Sequence, residues 1–299
     1  MSILIDKKTR AILQGITGRE GSRACREMRA YGTKVLAGVT PGKGGQSVDG
    51  VPVYDTVGEA VACHKGINAT LIAVPGPFVR DAAIEAITAG IPLIVILTEH
   101  VPVQDSAFLT RYARYRKVRI VGPSSVGIIS PGKGKIGSIG SGGTADVFSK
   151  GPIGLISKSG GMIAEIASIL TNAGLGQSTA VGIGGDMVIG SDFADLLELF
   201  ETDSATRAVV LFGEIGGTYE ERAASLIRSK KIRKPVVAVV AGKFSRFLPP
   251  ESVLGHAGAI VARGKGGYHS KINAFRRAGV RIAYDIDDIP ELVRRALKR

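Results

Sequence analysis

Four histidines are spread over 299 residues, and one of them, His256, stands in LGHAGAI (254–260) with only small residues beside it. Glycine and alanine hold no imidazole in place, so the backbone there is cleared for something to approach the ring. Two other segments supply what a reactive imidazole needs. Ser159-Gly160-Gly161 leads from the apolar run IGLIS (153–157) into the helical pattern MIAEIASILTNAG (162–174), and backbone N–H groups at such a helix start form an anion site. AVVLFGEIGG (208–217) ends an apolar run on Glu214, a carboxylate able to hold one ring nitrogen while the other stays unprotonated and nucleophilic. Together the three describe a transiently phosphorylated histidine. Asp186, closing TAVGIGGD (179–186), stands at a similar strand edge, and no role for it follows from the spacing.

A second group lies nearer the start. RAILQGI (10–16) is a strand pattern that runs into GITGREG (15–21), a helical pattern to Tyr31, and a second strand, TKVLAGV (33–39). Such a βαβ unit presents helix N-terminal N–H groups to a pyrophosphate. An NAD site would need an acid after the second strand. The chain has Gly38-Val39-Thr40-Pro41-Gly42-Lys43 there, and a lysine suits an extra ribose phosphate, as on coenzyme A or NADP. Further strands at ATLIAVP (69–75), PLIVILTE (92–99) and VRIVGP (118–123) put Thr17, Lys43, Pro75, Thr98 and Glu99 on one rim, since ligands bind beyond the carboxyl ends of such strands. GVTPGKG has the wrong glycine spacing for a Walker A loop, so triphosphate chemistry would need another polypeptide.

The elements that must position these residues alternate strand and helix in both halves, which predicts an α/β fold of two domains, 1–130 and 131–299. The glycine-rich stretch 131–151 reads as a connector or ordered loop near the boundary. Lysine and arginine number 39 against 26 acids, a formal net charge of +13, which suits anionic ligands or an acidic partner. The basic residues are scattered, aromatic residues make up 5% and tryptophan is absent, so nucleic acid is not expected. Cys25 and Cys63 are too far apart for a zinc motif, and no metal site is expected. Charges interrupt every apolar run and the start lacks a signal-peptide pattern, so a cytoplasmic protein without a membrane span is expected.

GITGREG, GVTPGKGG, VGIGGD, GEIGG and GHAGAI occur in that order, and with them nearly the whole chain resembles the succinyl-CoA synthetase α-subunit family of nucleotide-driven acid–CoA ligases. The resemblance implies a CoA-binding Rossmann domain followed by a flavodoxin-like ligase domain, both with mainly parallel sheets. It implies His256 as phosphoryl acceptor and Glu214 as the carboxylate holding it. Thr17, Gly18, Arg19, Glu20, Lys43, Leu97, Thr98 and Glu99 would line the CoA site, and Ser159, Gly160 and Gly161 would present N–H groups to phosphate. A large β subunit with an ATP-grasp site would hold ATP or GTP with Mg2+.

The motifs depart from the succinate pattern in places. Ser-Arg-Ser-Gly-Thr-Leu-Thr-Tyr-Glu is replaced by Ser157-Lys158-Ser159-Gly160-Gly161-Met162-Ile163-Ala164-Glu165, and the segment Phe244 to Glu251 before the histidine is also altered. These variants look more like ATP-citrate lyase and the citryl-CoA synthetase small subunit. Gly161 and Ala164 leave room for a bulkier tricarboxylate, so citrate is expected ahead of succinate. Without a citrate-synthase-like extension the chain is expected to form the thioester and stop. A CoA- or NADP-binding regulatory protein, or an NADP-dependent oxidoreductase, would explain Lys43 but give Glu214 and His256 no purpose.

Overall fold

The computed structural model describes residues 2–141, 143–244, 256–261 and 266–298. The altered residues 245–251 and the Leu254-Gly255 pair lie outside the described residues.

Strands β1 (Arg10–Gln14), β2 (Lys34–Val39), β3 (Ser47–Val48), β4 (Val51–Tyr54), β5 (Ala69–Ile72), β6 (Leu93–Ile96) and β7 (Arg119–Val121) form the first sheet, in the order β3-β4-β2-β1-β5-β6-β7. Every pairing is parallel except β3 with β4. With that edge piece set aside, the parallel strands taken in chain order run 3-2-1-4-5-6, the doubly wound dinucleotide-binding arrangement. β5 and β6 are buried at every residue, as strands covered on both faces must be, which is why they read as unbroken apolar runs. The helices are α1 (Arg19–Ala30), α2 (Val57–Cys63), α3 (Val79–Thr88) and α4 (Val103–Tyr115). α1 buries Gly21, Ala24, Cys25 and Met28, a stripe at helical spacing, and turns its arginines outward.

The second sheet contains β8 (Gly127–Ser130), β9 (Gly134–Gly137), β10 (Lys150–Ser157), β11 (Gln177–Gly182), β12 (Ala208–Glu214), β13 (Val236–Ala241) and β14 (Arg281–Ile282), in the order β14-β13-β12-β10-β11-β8-β9. β10 to β14 are parallel to one another, and in chain order they run 2-1-3-4-5, the flavodoxin-like arrangement. The remaining helices are α5 (Thr144–Val147), α6 (Gly160–Asn172), α7 (Phe193–Thr202), α8 (Tyr219–Arg228), α9 (Tyr268–Arg277) and α10 (Ile289–Leu297).

β8 precedes residue 131 yet pairs with β11 in the second sheet, and β9 falls inside the stretch expected to be a connector. The glycines are the reason. Gly127 and Gly137 face each other at φ +110° and +97°, and a Cβ on Gly137 would lie 2.6 Å from the Val126 carbonyl oxygen. A single buried cluster includes Leu13, Val95 and Val121 of the first sheet with Ile156, Val181 and Leu211 of the second, so the two sheets share a core. Among the described residues no helix is long and apolar enough to cross a membrane.

Candidate functional site

In the second sheet the strand order reverses between β10 and β12, which are hydrogen-bonded neighbours. A crevice forms at the carboxyl ends of such a strand pair because the following helices depart to opposite faces. β10 ends on Ser157 and delivers Lys158 and Ser159 there, while β12 ends on Glu214. His256 reaches the same place from its loop: its Nδ1 lies 2.7 Å from Glu214 Oε2. Lys158 Nζ lies 3.4 Å from the other carboxylate oxygen, and its side chain is 1% exposed against 34% for His256.

The imidazole rests on bare backbone. A Cβ on Gly185 would overlap the ring carbons and come within 2.9 Å of Nδ1. The Gly258 N–H donates to the Gly185 carbonyl at 2.9 Å and the Ala259 N–H to the His256 carbonyl at 3.0 Å, pinning the turn after the histidine to the end of β11. Gly185 thus makes room for the ring, and Gly258, whose Cβ would come within 2.9 Å of the Gly185 and Asp186 carbonyl oxygens, lets the loop approach.

Burial pushes the Glu214 carboxyl up, but its hydrogen bond with His256 and the Lys158 ammonium outweigh burial and hold it below its ordinary value. That hydrogen bond, against the opposing effect of burial, lifts the His256 ring above its ordinary value. An ionised Glu214 accepts the Nδ1 proton, which fixes the tautomer and puts the neutral ring's lone pair on Nε2, across the ring. Lys158 and Glu99 also act on the ring, and the buried Asp186 feels His100, Glu99 and His256. Asp186 is raised mainly by burial.

Ser159 caps α6, its hydroxyl accepting the Met162 N–H at 3.4 Å. The expectation that its own N–H would face a phosphate is corrected here: that N–H donates to Ser157 Oγ at 3.1 Å, because the serine hydroxyl closes the turn out of β10. Gly160 and Gly161 are left to offer first-turn N–H groups, which no helix can satisfy internally. A Cβ on Gly160 would strike Val126, whereas one on Gly161 would meet nothing within 4 Å.

In the first sheet the reversal falls between β1 and β5. Gly15, at φ +82°, passes so close to β5 that a Cβ would lie 2.6 Å from the Ala73 carbonyl oxygen. Gly18 is the N-cap of α1 and supplies no side-chain cap, so the helix start is open to an anion. Thr17 Oγ1 lies 3.2 Å from Thr40 Oγ1 across the ends of β1 and β2. Arg19 opens α1, Glu20 pairs with Arg23 at 2.6 Å, and Lys43 is exposed on a turn whose N–H donates to Thr40. Beyond β6, Leu97 packs on the core, Thr98 Oγ1 donates to the Val74 carbonyl at 2.6 Å, and Glu99 is exposed.

The structure thus gathers His256, Glu214, Lys158 and the α6 start in one crevice, with Glu99 from the first sheet near enough for its charge to reach the ring. Thr17, Gly18, Arg19, Glu20 and Lys43 gather at the β1–β2 ends. Sequence reasoning gave Lys158 and Gly185 no part. Lys158 stood one residue before the expected anion site, which was its only local signal; nothing local marks Gly185, since its neighbour is 71 residues away.

A family model described as CoA binding domain matches residues 6–100, and one described as CoA-ligase matches residues 156–281. The chain is 46% identical to the succinate–CoA ligase [ADP-forming] subunit alpha of Aquifex aeolicus, covering 100% of this chain and 95% of that one. It is 50% identical to the protein of the same name from Methanothermobacter thermautotrophicus, over 93% and 91% of the two chains. Among solved structures, the ATP citrate lyase of Methanosaeta concilii with (3S)-citryl-CoA superposes with a TM-score of 0.90 at 27% identity. That match covers 99% of this chain, which spans 50% of the lyase chain.

Proposed function

The chain belongs to the succinate–CoA ligase alpha-subunit family, and from that premise we propose that it is the subunit of an ADP-forming succinate–CoA ligase that carries the phosphoryl group on His256. The observation that carries the reading is the 2.7 Å contact of His256 Nδ1 with Glu214, which in the neutral ring puts the lone pair on Nε2.

Nε2 attacks the γ-phosphorus of ATP held with Mg2+ on a β subunit; the bond to the ADP oxygen breaks and ADP leaves. The ring then carries positive charge, which Glu214 offsets through the Nδ1 hydrogen bond, and the Gly160 and Gly161 N–H groups meet the phosphoryl oxygens. A succinate carboxylate takes the phosphoryl from Nε2 to give an acyl phosphate. The thiolate of CoA, its diphosphate at the open start of α1 and its ribose phosphate near Lys43, attacks the acyl carbon and expels inorganic phosphate.

Succinate is preferred to the citrate expected from the motif variants. The relatives named for succinate are 46% and 50% identical over more than nine-tenths of their length, against 27% for the lyase. Of the two small residues on which the citrate expectation leaned, Gly161 and Ala164, position 161 faces open space, so a glycine there enlarges no packed pocket. With the β subunit, CoA and ATP, thioester formation from succinate is expected to be at least about tenfold faster than from citrate at equal concentration, a difference of about 1.4 kcal/mol in barrier. Faster turnover of citrate would restore the tricarboxylate reading, and no thioester from either acid would remove the ligase reading.

A further inference from the structure

Behind the site lies a buried ion pair that the chemistry above does not use. Glu220, in the first turn of α8, and Lys271, in the first turn of α9, are both 0% exposed. The Lys271 ammonium has three N–H donors, and three oxygens receive them: Glu220 Oε2, the Gly217 carbonyl at 3.1 Å and Glu221 Oε2 at 3.2 Å. The second Glu220 oxygen accepts the backbone N–H of Glu214 at 3.1 Å. The pair therefore grips the turn after β12 at both ends, by the N–H of residue 214 and the carbonyl of residue 217.

That turn is where the histidine loop rests. Gly216, at φ +92°, lies against the backbone of Gly258 and Ala259, with no space for a side chain. We propose that Glu220 and Lys271 are a positioning pair for phosphoryl transfer: they fix the Glu214 carboxylate and the 214–217 turn at the height that His256 requires. An ion pair taken wholly out of water adds little net stability, and apolar residues of similar volume often hold a core as well. What apolar residues cannot supply is an acceptor for one turn end and a donor for the other.

The proposal rests on the ligase reading for its consequence in rate, but the geometry it concerns can be read in the chain alone. The His256 ring, assigned by comparison with H256Q, is titrated by NMR in the wild type, in E220L/K271M, and in E220Q/K271M, which retains an oxygen for the Glu214 N–H. Among the described residues, Glu214, Lys158, Glu99 and Asp186 are charged groups coupled to the ring, and all are unchanged in the three proteins. In E220L/K271M the ring is expected to titrate closer to the ordinary value of about 6.5. Its phosphorylation by β subunit and ATP is expected to fall at least about tenfold, with KM for ATP unchanged. E220Q/K271M should fall between it and the wild type in both. Wild-type titration and rate in folded E220L/K271M would overturn the proposal; should that variant not fold, wild-type values in E220Q/K271M would do so. An unphosphorylated wild type would defeat the ligase reading, while the titration would still decide this one.

Discussion

Glu214 does two things to His256: it holds the proton on Nδ1 and it makes the ring more basic. The first favours nucleophilic attack by Nε2 and the second limits it, because only the neutral ring attacks. Phosphorylation should therefore rise with pH through the elevated ring pKa. In E214Q that limb should move to lower pH while the plateau falls about 10²-fold, near 2.7 kcal/mol, for loss of orientation and charge compensation. The same pair bears on stability. A carboxyl held below its ordinary 4.5 contributes above that value and ceases to as pH falls through the depressed pKa; a ring lifted above 6.5 contributes below that value and ceases to as pH rises through the elevated one. The stability difference between wild type and E214Q, read from urea unfolding, should be largest between about pH 4.5 and 6.5 and shrink on either side.

At the scale of elements, strand ends do the positioning. Three residues beyond β11, Gly185 is the floor under the imidazole, and G185A should displace the ring with little loss of fold, since only a loop side chain has to move. Phosphorylation in G185A should drop at least about 10²-fold while the urea midpoint stays near wild type. The central strands of both sheets were legible because strands buried on both faces are unbroken apolar runs, and the glycines of GITGREG marked the first crevice directly. β8 and β9 were not legible, since their crossing requires glycines that alone suggest a loop, and β14 is only two residues long. Glu220 and Lys271 lie 51 residues apart on different helices, a separation at which periodicity carries no information.

For the whole molecule, the shared core is supplemented by polar links between the sheets. Lys135 of β9, 1% exposed, reaches Glu27 of α1 at 3.2 Å, and its backbone N–H and carbonyl both bond the Thr33 hydroxyl. Arg114 of α4 lies 3.6 Å from Asp195 of α7. Burial lowers the Lys135 pKa and Glu27 works against that, so E27L, which leaves the ammonium buried without its counter-charge, should destabilise by about 3 kcal/mol. K135M, which removes the charge and keeps the volume, should cost about 1 kcal/mol or less. The order of these two in denaturant midpoint tests whether the link is electrostatic. Such links tie the two sheets together, and the charge of Glu99 from the first reaches the His256 ring of the second. The proposed reaction turns on a phosphoryl group resting on His256 between two separately bound substrates. Incubation with the β subunit and γ-labelled ATP should put acid-labile, alkali-stable label on this chain, absent in H256N and discharged by adding ADP, or succinate with CoA. Label that survives in folded H256N, or a wild-type chain that takes up none, would contradict it.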